Sequence, residues 1–215
     1  MVGLEAVFFD FDGVIVDTMR LHSIATDLVF KDLGVAFPRD KFNGMSSMRT
    51  YDVYKAVLPD FSESELRLLE AKKYSKLKEL SNSVVVYPGF LEFLSKLSGF
   101  KIGVVSNSRR DFINWVLGRV CNNCKFDVVV SADDVVNGKP DPECYLKAAS
   151  IFGVKPENCV VIEDSVAGVL AGKSAGMKVV ALTHTHDRIF LLDADLVVDS
   201  FKELSVEKLR GLFVA

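Results

Sequence analysis

The chain has 215 residues, 49% of them hydrophobic, with 16 phenylalanines and a formal charge of −3 at neutral pH. That length suits one large domain, or a domain carrying a small insert, with ample apolar residues for a core. The near balance of acids and bases excludes the basic footprint of a general nucleic-acid or membrane-surface binder.

The opening segment MVGLEAVFFDFDG has no basic start, and nowhere does an apolar run reach the ~18 residues that a membrane span needs. A soluble, cytoplasmic protein is expected. EAVFFD (5–10) is the first of six short apolar runs, followed by KIGVVS (101–106), FDVVVS (126–131), NCVVIE (158–163), MKVVAL (177–182) and DLVVD (195–199). Each is apolar on successive residues rather than alternating, which predicts strands buried on both faces. Helical patterns lie between them, at Phe90 to Leu97, Phe112 to Leu117 and Tyr145 to Phe152. Alternating strands and helices predict an α/β fold, a Rossmann-like parallel sheet with helices on both faces.

One interval breaks the alternation. From Met19 to Ser83 no comparable strand run occurs, while Leu21, Ile24, Ala25, Leu28 and Val29 recur at helical spacing. Ser62 followed by Glu65 is a capping-box signature opening a further helix. Residues 18–83 therefore read as an inserted all-helical cap of roughly four helices, and residues 1–17 with 84–215 as the catalytic core, Pro88-Gly89 marking the return. A module carried on two crossings of the chain can hinge over the end of the first strand.

In open parallel sheets, ligands collect beyond the carboxyl ends of the strands. The first strand delivers Asp10 and Asp12, then Gly13; the second delivers Ser106-Asn107-Ser108. The third leads to NGKPDP with Lys139, and the fourth ends in Glu163-Asp164, with Ser165 opening a helix. Clustered carboxylates repel one another unless a cation neutralises them. Asp10, Asp12, Glu163 and Asp164 form an oxygen-only set that suits Mg²⁺ and not zinc. Ser106, Asn107 and Lys139 suit an anion. A divalent cation beside fixed donors is what phosphoryl transfer requires.

The pieces DFDGVIVDT, VVSNS, GKPDP and VIEDSVAGVLAGKSAG, in that order, resemble the four motifs of the haloacid dehalogenase superfamily. The helical insert resembles the cap of its phosphoglycolate-phosphatase-like and β-phosphoglucomutase-like members. The resemblance implies that Asp10 is the nucleophile, forming an aspartyl phosphate. It implies that Asp12 protonates the leaving oxygen and then deprotonates water, with its main-chain carbonyl on the metal. Ser106 and Asn107 would hold phosphate oxygens, Lys139 would neutralise nucleophile and phosphate, and Asp164 with Glu163 would anchor Mg²⁺. The implied activity is Mg²⁺-dependent hydrolysis of a small phosphomonoester, such as a sugar phosphate or a phosphoglycolate-like compound. An acid at position 12 favours esters with alkoxide leaving groups over halides and phosphonates.

The alternative activity is a phosphosugar mutase. Such relatives carry a Lys before the cap-loop Gly and an Arg shortly after it. Here Asn43 precedes Gly44, Ser47 stands at the Arg position, and Arg49 comes two residues late. Arg109 and Arg110 also replace the usual residues after the second motif. These departures favour hydrolysis, with Arg49 kept as a cap candidate for substrate contact. A non-catalytic binder, which would have lost the nucleophile or the metal acid, ranks behind both.

The remaining features read more plainly. Asp17 and Thr18 are expected to cap the first insert helix or form the hinge. His22 sits where relatives carry a cap-facing histidine, so it either meets substrate or packs at the hinge. His184 and His186 in THTHD are expected in a loop at the sheet's end rather than as a metal pair. GVLAGKSAG misses the P-loop spacing by one residue and lies inside a helix, which excludes nucleotide binding there. Cys121 and Cys124 close a helix rather than open one, so CNNC reads as local structure, open to disulfide pairing, and not as a redox or zinc site. Nothing in the sequence demands an assembly, so a monomer fits.

Overall fold

The structure, a computed structural model, describes residues 3–39 and 47–214. Each of the six apolar runs forms a strand: β1 (Ala6–Phe9), β2 (Lys101–Val105), β3 (Val128–Val130), β4 (Cys159–Glu163), β5 (Lys178–Leu182) and β6 (Leu196–Val198). All pair in parallel, in the order β3-β2-β1-β4-β5-β6. The chain passes to one side of β1 for β2 and β3 and to the other for β4 to β6. That reversal opens a crevice at the carboxyl end of β1.

Successive residues of a strand point to opposite faces of the sheet. Val7 and Phe9 enter the core on one face with Phe90, Phe93 and Phe112, while Ala6 and Phe8 enter the other with Tyr145 and Ala148. Both faces are covered, which is why consecutive residues of β1 are apolar. Phe9 meets Phe90 edge-on with centroids 5.4 Å apart. Full burial of each such ring contributes roughly 1.5–3 kcal/mol.

Within residues 18–83 the described residues contain three α-helices, α1 (Met19–Asp32), α2 (Thr50–Val57) and α3 (Glu63–Leu80), then a 3-10 turn at Ser81–Ser83. These helices share a small core of their own, in which Phe30, Tyr54, Leu66 and Leu69 are buried. The capping box at Ser62 and Glu65 forms reciprocally. The two chain crossings pair with each other: Tyr87 N donates to Ile15 O at 3.0 Å, and Asp17 N to Val85 O at 3.3 Å.

The remaining helices are α4 (Phe90–Ser95), α5 (Arg110–Val120), α6 (Glu143–Phe152), α7 (Val166–Ser174) and α8 (Val206–Gly211). Cys121 and Cys124 pair as a disulfide just after α5, while Cys144 and Cys159 are free and buried. No helix among the described residues is long and apolar enough to cross a membrane.

Candidate active site

Main-chain pairing carries β1 one residue further: Asp10 N donates to Ile162 O at 2.9 Å. The chain then turns sharply at Gly13, whose φ is +87°. A side chain would be strained at that φ, and a Cβ would lie 2.1 Å from Asp164 Oδ2. The turn therefore brings the end of β1 against the end of β4.

Lys139 organises the acids. Its ammonium donates to Asp10 Oδ1 at 2.6 Å, to Glu163 Oε1 at 2.6 Å and to Val105 O at 2.9 Å, which uses all three of its N–H bonds. The side chain is 2% exposed. Burial works against its charge, yet the carboxylates of Asp10 and Glu163 hold its pKa well above the usual lysine value.

Glu163 is fully occupied. Besides Lys139, Oε1 accepts from Tyr145 Oη at 3.0 Å, and Oε2 accepts from Asp164 N, Ser165 N and Ser165 Oγ at 2.9, 3.1 and 3.0 Å. Burial would raise its pKa, but Lys139 and the main-chain donors lower it. Ser165 also caps α7, accepting from Gly168 N at 3.0 Å.

Asp10 and Asp164 are less well compensated. Burial pushes Asp10 up to about 8 against the pull of Lys139, with the charges of Glu163 and Asp12 adding to the rise. Burial, then the charges of Glu163 and Asp10, raise Asp164 well above the carboxylate range. Oxygens of Asp10, Glu163 and Asp164 lie within 4.8 Å of one another. Three buried carboxylates against one buried ammonium leave an excess of negative charge. An oxygen-only donor set with that excess fits a hard divalent cation.

Asp12 faces the other way, toward the inserted helices. Its Oδ1 accepts from Thr18 Oγ1 at 2.5 Å and lies 3.1 Å from His22 Nε2, and its Oδ2 accepts from Ser108 Oγ at 2.5 Å. Burial alone would raise its pKa, but His22, Ser108 and Thr18 bring it down to about 2. Burial moves His22 below its ordinary range, against the pull of Asp12. The ring of His22 meets Phe112 edge-on at 5.7 Å. His22 thus packs where the chain enters the inserted helices and also lines the cavity. Thr18 makes no cap to α1; its hydroxyl is given to Asp12.

Ser106 is 2% exposed, and its Oγ accepts from Ser108 N at 3.0 Å, so its own proton remains to be donated. Asn107 is differently employed. Its amide donates to Ser47 O at 2.8 Å and its Oδ1 accepts from Lys139 N at 3.0 Å, so the side chain straps the lysine loop to the inserted segment. Arg49 lies outside the cavity. Its guanidinium grips Asp52 at 2.6 and 3.0 Å and donates to Val135 O at 3.2 Å, and it lines a separate cleft with Arg67 and Arg109. The acidic partner one helical turn away turns Arg49 aside. Asn43 and Gly44, on which the comparison with mutases partly rests, lie outside the described residues.

The cavity over Asp10 and Asp12 holds about 50 Å³. Sequence reasoning missed Lys73 and Tyr74 among its walls, and Thr50 with them. Lys73 is 7% exposed, donates to Thr50 Oγ1 at 2.7 Å, and is lowered to about 8 by burial. A signal for Lys73 and Tyr74 was present: Leu66, Leu69, Glu70, Lys73, Tyr74 and Leu77 form the buried stripe of α3 at helical spacing. Ser108 carried no such signal beyond its place at a strand end.

A family model described as haloacid dehalogenase-like hydrolase matches residues 4–176. Validoxylamine A 7′-phosphate phosphatase of Streptomyces hygroscopicus subsp. limoneus is 32% identical over 205 residues, covering 93% of this chain and 95% of that protein. Beta-phosphoglucomutase of Bacillus subtilis is 31% identical over 218 residues, covering 96% and 94%. The crystal structure of beta-phosphoglucomutase from Clostridium difficile superposes with a TM-score of 0.85 at 30% identity, covering 98% of this chain and 97% of that one.

Proposed function

The chain belongs to the haloacid dehalogenase-like hydrolases and is an enzyme of phosphatase type, and from that premise we propose that it hydrolyses a small phosphomonoester with Mg²⁺, through an aspartyl phosphate on Asp10. The observation that carries this reading is the placement of Asp10. It stands at the crevice of the sheet, one oxygen held by Lys139 and the other left free to attack.

In the first step Asp10 attacks phosphorus, the bond from phosphorus to the ester oxygen breaks, and Asp12 gives that oxygen its proton. In the second, Asp12 takes a proton from water, which displaces phosphate from Asp10. As held here Asp12 is ionised, the form the second step needs. For the first step a donor must let go, and Thr18 and His22 sit where the chain enters the inserted helices. Residues 18–83 accordingly act as a cap that hinges on the paired crossings. His22, Thr50, Lys73 and Tyr74 of that segment wall the cavity over Asp10 and Asp12, so a swing of the cap opens it to substrate.

Ser106 offers its hydroxyl proton to a phosphate oxygen. Lys139 orients and neutralises Asp10, while Asn107 fixes the loop that carries Lys139. Asp10, Asp164 and the main-chain carbonyl of Asp12 would hold the cation. Glu163, its oxygens occupied, supports Lys139 from behind. Bound there, Mg²⁺ supplies neutralisation of the charge on the transferring phosphoryl oxygens.

A mutase is the second reading, favoured by the similarity to the two beta-phosphoglucomutases. Against it stands Arg49, whose guanidinium is taken by Asp52. The test is phosphate release across a panel of sugar phosphates, hexitol phosphates and phosphoglycolate, with Mg²⁺, with EDTA, and with Asp10→Asn. Selective release, lost with EDTA and in the variant, is expected. Release that survives Asp10→Asn would sink the covalent mechanism. Bisphosphate-primed isomerisation without hydrolysis would move the protein to the mutase class.

A further inference from the structure

The THTH sequence after β5 has no part in the steps above, yet its side chains close on Asp164 and on the turn at Gly13. Thr185 Oγ1 lies 3.1 Å from the main-chain oxygen of Asp164 and hydrogen-bonds its Oδ2. His186 Nδ1 is 3.0 Å from the Asp164 carbonyl and 3.0 Å from Thr185 Oγ1. His184 Nδ1 is 2.9 Å from Gly13 O, and its ring stacks on Tyr87 with centroids 3.9 Å apart.

The direction of these bonds follows from what each atom can do. A carbonyl oxygen only accepts, so both histidines carry their proton on Nδ1. A threonine hydroxyl has a single proton to give. Because the N–H of His186 reaches the Asp164 carbonyl, the Thr185 proton is free for the carboxylate. A chain results: the His186 N–H is shared between the Asp164 carbonyl and Thr185 Oγ1, and the Thr185 O–H donates to Asp164 Oδ2. Gly13 walls the other side of that carboxylate: a Cβ there would lie 2.1 Å from Oδ2 and 2.9 Å from Thr185 Cγ2. Gly13, itself tied to His184, and Thr185 together confine Asp164, which is 1% exposed.

We propose that Thr185, aimed by His186, is a positioning residue for the metal site. It ties down Oδ2 of Asp164 so that Oδ1 is presented to the cation in one fixed orientation. This inference rests on the Mg²⁺ reading above. A ligand oriented before the cation arrives loses less freedom on binding, and loss of such an outer partner typically weakens metal affinity by ~10–100-fold.

The test counts bound Mn²⁺, an octahedral oxygen-seeking stand-in for Mg²⁺, by the paramagnetic resonance signal of the free ion, with Mg²⁺ as competitor and no substrate present. Thr185→Val keeps the shape and removes the proton, while Thr185→Ser keeps the proton. Thr185→Val should bind Mn²⁺ about 10-fold more weakly, with Thr185→Ser close to the unmodified protein and melting temperatures in EDTA unchanged. Equal affinity in Thr185→Val overturns the proposal. Equal weakening in both variants, with lowered melting temperatures, also overturns it, because the residue would then be acting through packing alone. Failure of the unmodified protein to bind either ion would instead remove the metal reading itself, and this inference with it.

Discussion

Lys139 shows how the site is held together at the scale of single residues. Each of its N–H bonds ends on a different acceptor, two of them buried carboxylates. A buried pair is worth little over a well-packed apolar substitute, but removing one partner strands the other and costs about 3–5 kcal/mol. Lys139→Met should therefore lower stability in urea unfolding, measured in EDTA, by about that amount. Adding Glu163→Gln should recover at least about 1 kcal/mol of it, since one stranded charge is then gone. Strictly additive losses would show that Lys139 and Glu163 are not coupled. The acids and Lys139 were legible in the sequence because chemistry at a strand's carboxyl end needs only the strand to be recognised. The employment of Thr18, Ser108 and Thr185 was not legible, because a single hydroxyl in a loop has no period. The side-chain partners of Asn107 and Arg49 were not legible for a related reason. Those partners, Ser47, the Lys139 main chain and Asp52, are set by tertiary approach or rotamer, not by motif spacing.

Among the elements, α7 repays comparison with α5. Within α7, Gly168 and Gly172 serve packing: a Cβ on Gly168 would lie 1.8 Å from Glu163 Cδ, and one on Gly172 2.8 Å from Val179. Glu163 cannot yield cheaply, because five hydrogen bonds hold it. Gly168→Ala should cost roughly 1–3 kcal/mol by overpacking and, by shifting Glu163 and hence Lys139, reduce phosphate release by roughly tenfold or more. Gly118 in α5 is exposed, with nothing within 4 Å of its would-be Cβ. There Ala should stabilise by about 0.5–1 kcal/mol, with phosphate release unchanged. Denaturant unfolding and initial rates on the two variants check both halves, and a Gly168→Ala enzyme as active as its parent would refute the packing account. The six strands were legible because burial on both faces writes itself as consecutive apolar residues. The short α8 was not, because only Leu209 of its six residues is buried, so no apolar period marks it.

For the molecule as a whole, the excess buried charge couples folding, pH and metal. A carboxyl whose folded pKa lies above its unfolded value contributes stability at low pH and loses it as pH rises toward the folded value. Asp10, raised by burial to about 8, and Asp164, raised further, are both of this kind. Glu163 and Asp12 are lowered and act only under more acid conditions, the lowered His22 and His184 act on the acid side of their ordinary value, and Lys73, lowered by burial to about 8, opposes the fall only at the top of the window. Between pH 6.5 and 8, then, the folded protein without metal binds more protons than the unfolded chain at Asp10 and Asp164. Its stability should fall across that window, by up to ~1.4 kcal/mol per pH unit for each proton retained. A cation bound by the same carboxylates displaces those protons, so its benefit should grow as pH rises. Melting curves in EDTA and in saturating Mg²⁺, at both ends of the window, measure this directly. In EDTA the melting temperature should drop from pH 6.5 to 8, Mg²⁺ should raise it more at pH 8, and Asp10→Asn should flatten the EDTA slope. A melting temperature that is level or rising in EDTA would mean that the acids are compensated within the fold, and the strongest physical reason for a metal at this crevice would be gone.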